Sequence, residues 1–260
     1  MKKTESAKVI SQEELTSGIF SLWLENENTA ADAKAGQFVN VYCAEKSRLL
    51  PRPISICEID KEKGRIRLVY RIKGEGTKEF SRLQPGDTVK ILGPNGNGFP
   101  LEEAEGKLLY LVSGGIGIPP MLECAKEADS AGTVSVMGYR NADTFLAADF
   151  DRYAKCVIST DDGSLGYHGN AVQALEAAAD TMMPEIIFAC GPKVLLAAVK
   201  KFAEEAGIPC WVSMEERMAC GIGACLACVC ESVETDEHTH VKNKRVCKEG
   251  PVFAAGEIVL

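Results

Sequence analysis

The sequence predicts an α+β multidomain chain: an N-terminal antiparallel β-barrel over residues 1–102, a central α/β unit with a parallel sheet over 103–213, and a small cysteine module over 214–260. Three observations predict it. Up to about residue 100, short runs rich in β-branched and aromatic residues alternate with Gly and Pro turns. From Gly106 onward, apolar runs of strand length alternate with helical stretches. Near the end, Cys220, Cys225 and Cys228 stand close together among glycines and alanines, with Cys247 further on.

Composition bounds the function. The chain has 260 residues, 46% hydrophobic, with a net charge of -8 and no basic cluster, which argues against nucleic acid and anionic membranes as partners. Met1-Lys2-Lys3 could mimic the start of a signal peptide, but Thr4, Glu5 and Ser6 follow where an apolar segment is needed. No apolar run is long enough to span a membrane. Eleven cysteines without an export signal read as metal ligands, core residues or reactive thiols, and the expected compartment is the cytoplasm.

In the barrel region, Phe38 to Tyr42, Ile54 to Cys57 and Arg65 to Ile72 read as strands, separated by turns at Gly36-Gln37, Lys63-Gly64 and Pro85-Gly86-Asp87. Ile66, Leu68, Tyr70 and Ile72 alternate with Arg65, Arg67, Val69 and Arg71, so one face is apolar and the other largely cationic. Arg52-Pro53-Ile54-Ser55 places a guanidinium, a rigid turn and a hydroxyl together, a set suited to a phosphate and a ring nitrogen. Gly74-Glu75-Gly76-Thr77 offers backbone N–H groups and a hydroxyl for a pyrophosphate. Each alone is also an ordinary turn or loop. The loop Gly93 to Phe99 reads equally as a flexible hairpin and as a neighbour of the bound group.

In the central unit, Lys107 to Ser113 is a strand, Gly114-Gly115-Ile116-Gly117-Ile118-Pro119-Pro120 a glycine turn, and Met121 to Ala128 a helix opened by proline. That order points helix N–H groups at a pyrophosphate. Strands follow at Thr133 to Met137, Cys156 to Thr160 and Glu185 to Cys190, with helices over Gly169 to Asp180 and Lys193 to Ala206. Ligands bind at the C-terminal ends of such strands. Cys190-Gly191-Pro192 sits at one of them, where Cys190 reads equally as a ligand contact and as a small buried hydrophobe. Arg140 could meet a 2′-phosphate, but it has no second basic neighbour and Asp143 is close, which favours NAD over NADP.

In the module, Cys220, Cys225, Cys228 and Cys247 have the plant-type ligand spacing of a [2Fe–2S] cluster. Zinc is the competing occupant, although zinc ribbons usually carry two Cys-x2-Cys knuckles and Cys247 stands alone. Cys230 is left over. His238 and His240 fall in a polar loop tip, and His168 has no evident partner. The apolar residues 251–260 either pack back on the module or meet another subunit.

The pairing of Arg52-Pro53-Ile54-Ser55 with Gly76-Thr77 resembles the flavin-binding domain of the ferredoxin reductase superfamily. The resemblance implies that Arg52 meets the FAD phosphates within the strand that includes Pro53 and Ile54, and that Ser55 approaches the reactive edge of the isoalloxazine. It also implies that Val69, Tyr70 and Arg71 line the ribityl chain and ring, and that Gly76 and Thr77 seat the pyrophosphate. Gly114, Gly115, Gly117 and Pro119 are similar to the family's NAD(P) cradle, and Cys190, Gly191 and Pro192 to its segment beside the nicotinamide. No side chain is expected to carry the chemistry, because the cofactors do so.

Over nearly its whole length the chain, most specifically at Met218 to Cys230 and Gly250 to Glu257, resembles the electron-transfer subunits of type B dihydroorotate dehydrogenases. That resemblance implies a heterotetramer with two FMN-containing catalytic subunits, in which electrons from dihydroorotate oxidation, a step of pyrimidine biosynthesis, reach NAD through the cluster and FAD. Two alternatives stay open: a subunit that feeds electrons from NAD(P)H to a ferredoxin, a hydrogenase or sulfide chemistry, and a zinc-stabilised binding protein without redox function.

Overall fold

The computed structural model describes residues 3–235 and 240–260; His238 lies outside them. The first body comprises β1 (Glu5–Thr16), β2 (Ile19–Glu25), α1 (Glu27–Asp32), β3 (Phe38–Tyr42), β4 (Arg52–Asp60), β5 (Arg65–Arg71), α2 (Glu75–Phe80) and β6 (Thr88–Asn95). Its strands close into an antiparallel barrel in the order β1-β2-β5-β4-β3-β6. Alternate residues fill the interior, among them Val9, Leu22, Leu24, Val39, Val41, Ile56, Ile66, Leu68 and Ile91. The cationic face of β5 is a surface only at its ends, with Arg65 half-buried and Arg71 exposed. Arg67 is 8% exposed, and its guanidinium donates to Ser21 Oγ at 2.8 Å, Glu58 at 2.8 Å and Asp149 at 3.3 Å.

The second body comprises β7 (Leu108–Gly114), α3 (Pro119–Glu127), β8 (Gly132–Tyr139), α4 (Ala147–Phe150), β9 (Lys155–Thr160), β10 (Tyr167–His168), α5 (Ala171–Ala179), β11 (Ile186–Cys190), α6 (Lys193–Ala206) and β12 (Cys210–Ser213). The cysteine module adds β13 (Val229–Glu231), β14 (Asn243–Arg245) and β15 (Val252–Ala254). The large sheet runs β10-β9-β8-β7-β11-β12-β15, parallel except for β15. One face packs on α5 and α6 through Tyr110, Val112, Val134, Val136, Leu175, Leu196 and Val199, a core that continues into Cys228, Val246, Cys247 and Phe253. On the other face, Leu109, Leu111 and Phe188 meet Met121 and Leu122 of α3 and Cys57, Val69 and Phe99 of the barrel. The apolar terminus packs back on the module and also enters the central sheet: Val212 pairs with Phe253, and Val259 N–H donates to Glu231 O at 3.0 Å.

Polar side chains tie the bodies together. Asn97, in the loop after β6, donates from Nδ2 to Glu249 O (3.1 Å) and Val252 O (2.7 Å) and accepts Val252 N–H (3.0 Å). Its own N–H donates to Gly250 O at 2.7 Å. The loop is therefore a clasp on the segment after Cys247 and not a free hairpin. A second tie comes from α3, where the buried Glu123 carboxylate accepts Ile59 N–H at 2.8 Å and Lys126 Nζ donates to Ile59 O at 2.6 Å.

Two outcomes follow from these ties. Asn97→Ala removes three side-chain hydrogen bonds and should lower unfolding stability by roughly 2–4 kcal/mol in a denaturant titration. Burial pushes the Glu123 carboxyl up to about 7 from its ordinary 4.5, against the Ile59 N–H and Lys126, with Glu127 adding to the rise. Because the folded value is raised, this group's contribution is full below about 4.5 and is lost as pH rises through about 7. Glu123→Gln should therefore flatten the fall in denaturation midpoint across that window; an unchanged pH profile would contradict the assignment.

Candidate cofactor and electron-transfer site

The strand carrying Arg52, Pro53, Ile54 and Ser55 pairs with β3 on one side, Val41 opposite Arg52 and Phe38 opposite Ser55. On its other side the ladder to β5 begins only at Ile56 opposite Leu68. Arg52 to Ser55 and Val69 to Arg71 thus belong to the two strands where their pairing has stopped, and main-chain groups there are free to face a ligand. Val69 and Tyr70 are buried and Arg71 is exposed. Tyr70 is held by Gln12, whose Nε2 donates to the phenol oxygen at 2.9 Å.

Arg52 and Gly76 come together from separate elements. A Cβ on Gly76 would lie 2.5 Å from Arg52 Nε, so only glycine lets the guanidinium cross the start of α2. Thr77 Oγ1 accepts the Lys73 and Gly74 N–H groups at 2.9 and 3.3 Å, which folds this loop into a fixed cradle. The Arg52 guanidinium also donates to Leu50 O. A positive fork over a tight turn suits the phosphates of a dinucleotide.

Gly114, Gly115, Gly117 and Pro119 lie between the end of β7 and the first turn of α3. Parallel pairing of β7 with β11 sets Ser113 opposite Cys190, and β12 sets Ser213 on the far side of Cys190. A side chain on Gly117 would strike the Cys190 carbonyl and Gly191, so the glycine turn and Cys190, Gly191 and Pro192 form one lip at the C-terminal sheet edge. Burial pushes the Cys190 thiol up to about 12, so it stays neutral at physiological pH. Ser113 Oγ is fully buried with no hydrogen-bond partner among the described residues. Arg140 and Asp143 are both exposed at the same edge. His168 and His240 are exposed too.

The four cysteines of the module come close in pairs, Cys220 with Cys225 and Cys228 with Cys247. Cys220 and Cys225 Sγ atoms are 3.2 Å apart, and Gly223 N–H donates to Cys247 Sγ at 3.1 Å. Cys228 and Cys247 are both buried, and burial with the Cys228 thiol beside it pushes Cys247 up to about 12. Against the effect of burial, N–H groups of Ile222, Cys225 and Ala224 and the Cys225 thiol hold Cys220 at about 6, a thiolate at neutral pH. Gly221, at φ +63°, fits against the Asn40 amide, whose Nδ2 donates to Cys220 O at 3.3 Å. Backbone donors around sulfur suit an iron–sulfur cluster. Among the described residues no three His, Cys, Asp or Glu side chains are arranged around a single metal ion. Cys230 stands apart, its thiol donating to Lys244 O at 3.5 Å.

Asn40 and Asn97 escaped the sequence reading. The signal was there for Asn40, a fully buried amide in the apolar strand Phe38-Val39-Asn40-Val41-Tyr42 whose Oδ1 has no partner among the described residues. Asn97 sits among glycines and proline, where a turn residue is the ordinary expectation.

Residues 5–99 match the model of the oxidoreductase FAD-binding domain, and residues 215–259 that of the iron-sulfur cluster binding domain of dihydroorotate dehydrogenase B. A protein of Geobacillus thermodenitrificans described as the electron transfer subunit of dihydroorotate dehydrogenase B (NAD(+)) is 41% identical over 98% of each chain. One of the same description from Streptococcus pneumoniae is 40% identical over 100% of each chain. Among solved structures, that of an NADH-dependent reduced ferredoxin-NADP oxidoreductase superposes with a TM-score of 0.85 at 26% identity, covering 100% of this chain and 91% of that one. A Neisseria gonorrhoeae ferredoxin NADP+ reductase shares the fold at a TM-score of 0.67 and 18% identity, over 79% of this chain and 92% of that one. Similarity along the whole chain, together with the gathered cysteines and the barrel cradle, makes this protein a member of the dihydroorotate dehydrogenase B (NAD(+)) electron transfer subunit family.

Proposed function

We propose that this chain passes electrons between an FMN-containing catalytic partner, which oxidises dihydroorotate to orotate, and NAD, as one of two such subunits in a heterotetramer with two partners. The observation that carries it is the cysteine module's attachment: Asn40 and the Asn97 clasp bind it to the same barrel whose β4 and β5 face the nucleotide lip. Bound there, FAD exchanges two electrons with NAD and a [2Fe–2S] cluster exchanges one at a time, which is the conversion the subunit supplies.

The chain's own residues hold and orient. Cys220, Cys225, Cys228 and Cys247 would ligate the iron, with the Gly223 N–H steadying the Cys247 sulfur. Arg52, Gly76 and Thr77 would hold the FAD phosphates, and Ser55 and Val69 to Arg71 the ring end. Gly114 to Pro119 and Cys190 to Pro192 would hold NAD, the neutral Cys190 thiol packing beside the nicotinamide without moving a proton. The description of residues 215–259 as iron–sulfur binding favours iron over zinc. A second reading, electron delivery to a ferredoxin, is supported by the NADH-dependent ferredoxin-NADP oxidoreductase that superposes over the whole chain.

Mixed anaerobically with a dihydroorotate dehydrogenase FMN subunit, the chain should form a complex that reduces NAD with dihydroorotate. No complex, with ferredoxin reduced instead, would favour the second reading. Cys225→Ala should lose iron, sulfide and the one-electron spin-resonance signal while NADH still bleaches the flavin. Gly76→Ala and Arg52→Ala should each weaken FAD retention roughly tenfold or more by equilibrium dialysis, since a charged hydrogen bond is lost or displaced.

A further inference from the structure

The helix that opens at the nucleotide lip also grips the flavin strand. Beyond Ile56 the pairing of β4 with β3 has ended, so β4 presents one open edge, with β5 on the other. At that open edge Ile59 N–H donates to Glu123 Oε2 at 2.8 Å, and Ile59 O accepts from Lys126 Nζ at 2.6 Å. Lys126 Nζ also donates to both Glu123 oxygens, at 3.1 and 3.3 Å. One acceptor and one donor, three residues apart on a helix, thus do for Ile59 what a neighbouring strand would do.

Glu123 lies one turn, roughly 6 Å, beyond Pro119, where the glycine turn becomes α3. The turn itself packs toward β5: Ile118 and Val69 belong to one buried cluster with Cys57 of β4 and Met121 of α3. Any change in the spacing of α3 and β4 therefore moves the nucleotide lip relative to the flavin strands. Glu123 is fully buried, so the carboxylate has no water to exchange for Ile59, and the contact is made by this pair or lost.

We propose that Glu123 and Lys126 are positioning residues for hydride transfer between NAD and FAD, fixing the lip at reacting distance from the flavin strand; this rests on the NAD and FAD reading above. In that transfer a C4–H bond of the reduced nicotinamide breaks, an N–H bond forms at flavin N5, and the nucleotide leaves as NAD with two electrons and one hydrogen nucleus transferred. Misplacement by about 1 Å is enough to cost on the order of a hundredfold in such a step.

The test uses the FAD-loaded full chain with its cluster, comparing wild type, Lys126→Met, Glu123→Leu and the conservative Glu123→Gln. NADH is mixed rapidly with each, and hydrogen exchange is followed at the Ile59 amide without NADH. Glu123→Leu should speed Ile59 exchange, and it and Lys126→Met should lower the limiting rate of flavin bleaching about tenfold or more, with NADH affinity and FAD content little changed. Glu123→Gln keeps an acceptor for Ile59 N–H and should recover most of the rate. A limiting rate unchanged in Lys126→Met and Glu123→Leu, or one that falls only in proportion to lost FAD, overturns the proposal. A wild type that NADH does not bleach overturns the underlying NAD and FAD reading instead, and the proposal with it.

Discussion

A main-chain N–H or C=O at the edge of a strand has to find a partner once it is buried, and at the boundaries of this protein the partners come from the adjoining body. Ile59 finds Glu123 and Lys126, and Glu249, Gly250 and Val252 find Asn97. The Cys220 carbonyl finds Asn40. Contacts of this kind are directional, so they set distance as well as affinity, where an apolar interface would tolerate sliding. That matters for a chain that has to keep a nucleotide, a flavin and a metal cluster in line.

The same constraint decides what could be read from the residues alone. The strands Phe38–Tyr42 and Arg65–Arg71, and the helix Lys193–Ala206, were legible because each carries its own period and its own stop signals. The long β1 was not, since Glu13 and Glu14 interrupt any alternation and two bulges shift its register against β2. In β5 the alternation was read correctly, but burial of Arg67 depends on Glu58 and Asp149 arriving from elsewhere. Spacing alone announced the four cysteines. Asn97 and Glu123 were silent in the sequence, because the partners they hold in the adjoining body are backbone atoms, which every residue has.

The two halves of the flavin cradle show the difference between local and assembled information. Gly74 to Thr77 closes on itself through the Thr77 hydroxyl, and this much is local. The placement of Arg52 over Gly76 is assembled, since it needs barrel closure to bring β4 against the start of α2. Likewise the lip at Cys190 exists only because β7 and β11 lie side by side while the chain between them makes three other strands and three α-helices.

The C-terminal strand carries a consequence for how the module and the sheet are coupled. Ser213, the last residue of β12, pairs with Val252 at the start of β15, so the whole cysteine module is an excursion between two neighbouring strands of one sheet. The edge of the nucleotide sheet is thus sealed by a strand that the chain reaches only after passing through the module. The cysteine loop and the β12 edge share that one connection, so a shift of the module is transmitted to the nucleotide sheet through β15.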